Sequence, residues 1–125
     1  MSKEAITLSS LTHTWILDLD GTILKHNGYK QGGDELLPNA REFMQSIPAD
    51  DMVVILTART EEHRESTISF LKAHGIRFDH IIFNAPMGER VLINDSKPSG
   101  LKMSVAVNLP RDTGLNLDIN IDEKM

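Results

Sequence analysis

Apolar runs alternate with helical stripes along this chain. Residues 14–19 (TWILDL) are mostly apolar and predict a first strand. Residues 52–56 (MVVIL) form a continuous apolar run, the pattern of a strand covered on both faces. Residues 80–83, 90–93 and 103–107 predict a third, fourth and fifth strand. Between the first two, Pro38 suits the first turn of a helix whose stripe is Ala40, Phe43 and Met44. Pro48, Asp50 and Asp51 close that unit. Thr60 caps the next helix, with Glu61 and Glu62 favourably placed on its dipole. Thr67, Ile68, Leu71 and His74 share its stripe, and Gly75 stops it. Residues 25–35 (KHNGYKQGGDE) are polar and glycine-rich, a loop or a small hairpin. Beyond Asn108 the pattern decays, and residues 115–121 (LNLDINI) alternate weakly, as an edge strand or a partner-binding tail. Strands alternating with helices predict an α/β fold with a mainly parallel sheet.

Length adds that 125 residues suit one domain, with a core over about 12–108 and a tail over 109–125. Hydrophobic content of 40% and charged content of 25% fit a soluble globular chain. A net charge of −5, with no Lys/Arg cluster, argues against nucleic-acid backbones as partners. The absence of cysteine excludes disulfides, thiol catalysis and cysteine zinc sites. The five histidines are scattered, with none paired at metal-ligand spacing. Residues 1–11 have isolated apolar positions only, so neither a signal peptide nor a membrane span is expected, and a cytoplasmic location is the default.

The chemistry gathers where the predicted strands end. In open parallel sheets, ligands bind beyond the carboxyl ends of the strands, so residues far apart in sequence line one pocket. Three polar signals fall at such ends: Asp18-Leu19-Asp20-Gly21-Thr22, Thr57-Ala58-Arg59 and Asn94-Asp95. Burying carboxylates costs several kcal/mol unless a cation or hydrogen bonds compensate. Two of them at one strand end therefore suggest a hard cation such as magnesium.

These three motifs, in this order, resemble those of the haloacid dehalogenase-like phosphatases, over residues 14–107. The family carries D-x-D-G-T after its first strand, Thr or Ser after its second, and an acidic motif after a later one. Leu56-Thr57-Ala58-Arg59, with Arg64 and Thr67 beyond it, is similar to a small subgroup near capsule and sugar-related phosphatases. The resemblance implies a Rossmann-like three-layer sandwich with about five mainly parallel strands and no cap domain. It implies hydrolysis of a phosphomonoester through an aspartyl-phosphate, with Asp18 as nucleophile and Asp20 as general acid and base. Mg²⁺ would be held by the Asp18 carboxylate, the Asp20 backbone carbonyl and the Asp95 carboxylate. Thr57 and backbone N–H groups near Leu19 and Ala58 would hold phosphate oxygens, while Gly21 turns the chain away.

Other positions stay open between two roles. Arg59 is a substrate contact or a surface residue at a helix start. His26 and Tyr29 read as exposed loop residues where the family has a mobile flap, and Arg64 as a solvated charge. The sequence also departs from the family. Ala85 stands where a lysine beside the nucleophile is expected, and Asn94 where a second acid is common. One cation and one anion are thus both missing. Lys97 is a candidate replacement for the cation, or an exposed lysine before Pro98. Two functions follow: a Mg²⁺-dependent phosphatase, or a catalytically weakened relative that binds phosphate or a partner. Neither inter-motif gap has room for a cap domain. The site is thus open to a small phosphorylated substrate or to an exposed phosphate of a larger molecule, and a homodimer closing it through the tail is an expectation of the same kind.

Overall fold

A computed structural model describes residues 4–125, so Met1 to Lys3 of the N-terminal stretch lie outside the described residues. The described residues form an α/β fold, with five strands in two small sheets and two α-helices. All strand pairs are parallel. The contacts divide into two compact units, Thr12–Pro86 with Leu109–Asn116, and Met1–Leu11 with Met87–Asn108 and Leu117–Met125.

In the first unit, β2 (Thr14–Asp18), β3 (Met52–Leu56) and β4 (His80–Ile82) lie side by side in that order. Each crossover carries a helix, α1 (Ala40–Ser46) and then α2 (Arg64–Ala73). This is the repeated βαβ unit that alternating periodicity predicts. Asp18 pairs with Leu56, and Leu56 with Ile82, which puts three strand ends at one edge of the sheet. The core gathers Leu17, Val53 and Ile55 with Phe43 and Met44 of α1 and Leu71 of α2, all buried. Trp15 meets Phe43 edge to face, with ring centroids 6.0 Å apart. The Trp15 indole also donates to the buried Asp51 carboxylate, which accepts the His13 amide as well. The alternate positions along the sheet are different: Ile16 is 51% exposed and Ile82 50% exposed. The sheet is therefore well covered on one face only, and β3 is not sheathed on both sides as its apolar run suggests.

Helix ends follow their local chemistry. Gly75 takes a φ of +74°, Ile76 N–H donates to the Leu71 carbonyl, and α2 stops there. Thr60 precedes a short 3₁₀ turn (Glu61–His63) rather than α2 itself, and its hydroxyl bonds Glu62 instead of a backbone amide. The glycine-rich stretch is hairpin-like: Lys25 N–H donates to the Glu35 carbonyl and Leu37 N–H to the Ile23 carbonyl. Its tip is a 3₁₀ turn (Gly28–Lys30) with Gly28 buried.

In the second unit, β1 (Glu4–Leu8) and β5 (Leu117–Ile121) pair from Glu4 with Leu117 to Leu8 with Ile121. The weak alternation over 115–121 thus marks a strand, and residues 4–8, read as isolated apolar positions, form the other. The predicted strands at 90–93 and 103–107 are irregular. Val91 is 80% exposed and Ile93 91% exposed. A strand exists only with a ladder partner, and neither segment has one among the described residues.

Candidate functional site

The carboxyl ends of β2 and β3 carry the first two predicted motifs. Parallel pairing brings them together, because Asp18 closes β2 opposite Leu56 and Thr57 follows at once. Asp18 is exposed at this end. Leu19 is fully buried, and its N–H donates to the Leu56 carbonyl at 3.2 Å. That amide is therefore used within the sheet. The amides of Asp20 and Ala58 donate to none of the described acceptors and are the ones left for an anion. After Asp20 the chain folds back sharply: Thr22, Ile23 and Leu24 all donate to the Leu19 carbonyl. Gly21, at φ +88°, makes that reversal possible.

Asp20 is the hub of the site. Its carboxylate accepts the Thr57 hydroxyl at 3.1 Å, Arg59 Nη2 at 2.8 Å and Arg59 Nε at 3.2 Å. Thr57 is fully buried, and its oxygen in turn accepts the Arg59 amide at 3.1 Å. Arg59 is no surface residue at a helix start, since its side chain is 1% exposed. Nη2 also reaches Asp34 at 2.7 Å, and Nη1 reaches Asp34 at 3.0 Å and the Thr67 hydroxyl at 2.9 Å. With Nε and Nη2 on Asp20, every guanidinium N–H is engaged, and none is left for a substrate. The Tyr29 ring lies 4.0 Å from the guanidinium carbon and 4.8 Å from the His63 ring. Burial alone would lower the Arg59 pKa, but hydrogen bonds and charge from Asp34 and Asp20 outweigh it and raise it. The cation is therefore permanent.

Asp34 is the member of this cluster that sequence reading missed, and Tyr29, read as an exposed loop residue, is half-buried against Arg59. Both sit in the 25–35 loop, whose composition gives only polarity. The signal lay in the partner instead: an arginine directly after a buried strand end needs anions nearby. Arg64 is exposed and pairs with Glu61 at 2.6 Å, holding the Glu61 pKa low, while its guanidinium lies over Phe83. Ala85 is at the same sheet edge, its N–H donating to the Thr57 carbonyl at 3.0 Å. His26 is half-buried, and its amide donates to Asp112 at 2.8 Å.

Asp95 and Lys97 lie in the unit built on β1 and β5, both exposed, in the irregular 87–108 segment. There Asn94 caps the Asp95 amide with its own side chain, and Lys97 N–H bonds the Leu101 carbonyl across a turn. No group of three metal-ligating side chains assembles among the described residues. The donor set for magnesium fits in part: Asp18 and the Asp20 carbonyl are hard oxygens from one strand end, and that carbonyl is not among the turn's acceptors. No helix among the described residues is long and apolar enough to cross a membrane. Comparison with protein-family models, curated proteins and solved structures returns no match.

Proposed function

We propose that this chain is a Mg²⁺-dependent phosphatase of the haloacid dehalogenase-like kind, acting on a phosphomonoester. The observation that carries the reading is the hydrogen bond from Thr57 to Asp20, 3.1 Å long, at the joined ends of β2 and β3. It unites two of the three motifs on which the resemblance rests. Asp18 attacks phosphorus, forming an acyl-phosphate bond as the bond to the leaving oxygen breaks. Asp20 gives that oxygen a proton, then takes one from the water that cleaves the acyl phosphate at phosphorus. The free amides of Asp20 and Ala58 are donors suited to the phosphate oxygens, and Thr57 orients Asp20. In this reading Arg59 is a positioning residue, fixing the Asp20 carboxylate from behind.

Magnesium would be held by Asp18 and the Asp20 carbonyl, and would supply charge neutralisation that lets one anion approach another. The finer form of the fold belongs to the same proposal. Residues 90–93 and 103–107 are apolar and rich in β-branched side chains, the composition of strands that extend a parallel sheet into a three-layer sandwich. The substrate class is small phosphate esters, sugar-related by the subgroup resemblance, in a site with no cap.

One observation favours the second reading, a phosphate-binding relative with little turnover. Ala85 puts a methyl group at the strand end where the family places a cation. The two are separated by hydrolysis of p-nitrophenyl phosphate with and without Mg²⁺. A phosphatase gives Mg²⁺-dependent turnover that Asp18→Asn abolishes and EDTA removes. Equal, negligible rates for wild type and Asp18→Asn on a broad panel of phosphate esters would sink the enzyme reading.

A further inference from the structure

The strand-end site is short of positive charge. Asp20 and Asp34 share a single guanidinium, that of Arg59, whose N–H groups are all engaged. A phosphate dianion arriving there meets carboxylates, and Ala85 offers it nothing. Another cation of the same unit lies against the turn. The Arg111 stem crosses Gly21 so closely that a Cβ on the glycine would lie 3.2 Å from Arg111 Cγ and 3.9 Å from Nε. Gly21 directly follows Asp20. Its lack of a side chain is what lets the arginine lie there.

The backbone that carries Arg111 is pinned in place. Asp112 N–H donates to the Gly21 carbonyl at 2.9 Å, and the Asp112 carboxylate accepts the His26 amide at 2.8 Å. Thr113 closes the turn, its hydroxyl donating to the Pro110 carbonyl at 2.8 Å. Next, Leu115 N–H bonds the Pro38 carbonyl, and the Asn39 side chain bonds the Leu115 carbonyl at 2.6 Å. Arg111 itself is exposed and makes no ion pair or side-chain hydrogen bond among the described residues. An arginine with its stem laid on backbone and its head uncommitted is prepared for an anion. Its planar fork of donors matches phosphate oxygens.

We propose that Arg111 is a phosphate-binding residue of this site and supplies the positive charge that Ala85 does not. The proposal rests on the phosphatase reading and deepens it. Arg111→Gln keeps the stem on Gly21 and removes the charge, and Arg111→Lys keeps the charge and removes the fork. For p-nitrophenyl phosphate hydrolysis, Arg111→Gln raises KM and the inhibition constant of inorganic phosphate about tenfold or more, with an unchanged melting temperature. Arg111→Lys recovers part of both. An Arg111→Gln variant with wild-type KM and phosphate inhibition overturns the role of Arg111, while Asp18→Asn still shows whether the phosphatase reading stands. Wild type as inactive as Asp18→Asn overturns that reading and this proposal with it.

Discussion

Arg59 concentrates the energetics of the site in one side chain. It joins the turn after β2, the 25–35 loop and α2 through Asp20, Asp34 and Thr67. Arg59→Ala would leave two carboxylates close together with no cation between them. Removing one partner of a buried ion pair costs about 3–5 kcal/mol. Urea denaturation of Arg59→Ala should show a loss of that order, and a loss within error of zero would contradict the cluster. The pH dependence has a clear sign. The folded pKa of Arg59 is raised, so its stabilisation is complete below the unfolded value and is lost only as pH rises through the folded one. Both lie far into alkali, so the arginine contributes no pH dependence near neutrality. At this scale the sequence was only half legible. Asp18, Asp20 and Thr57 announce themselves because strand ends collect ligands. Asp34, Tyr29 and Arg111 do not, because loop residues are placed by tertiary pairing that no local pattern encodes.

Elements were easier to read where burial is periodic. Residues 14–18, 52–56 and 80–82 became strands because their partners lie one crossover away. Strands 4–8 and 117–121 escaped or stayed ambiguous because each needs a partner over a hundred residues distant. The short segment 109–116 is the instructive case. It has no periodicity, yet it holds Arg111 on the Asp20 turn through backbone bonds to Gly21 and Pro38. Gly114 lets it approach: its φ is +91°, and a Cβ there would collide with the Pro38 carbonyl oxygen. Gly114→Ala therefore combines a steric clash with left-handed strain. It should destabilise the protein by more than about 1 kcal/mol and speed tryptic cleavage after Arg111. Unchanged stability and cleavage would show that the segment is not docked as described.

At the scale of the molecule, the described residues form two units, and the irregular 87–108 segment belongs to the one built on β1 and β5. Residues 90–93 and 103–107 test the finer form of the proposed fold. Hydrogen exchange in Mg²⁺ and phosphate should show slow amides in both segments if they extend the sheet. Rates equal to those of an unstructured peptide would contradict the five-stranded form. The proposed chemistry can be trapped in one measurement. A phosphate ester labelled in its phosphoryl group is mixed with protein and Mg²⁺, quenched in acid, digested and analysed by mass spectrometry. Label should appear on the peptide containing Asp18 and be absent from Asp18→Asn. Turnover of the ester with no label on Asp18 at any quench time would contradict that chemistry.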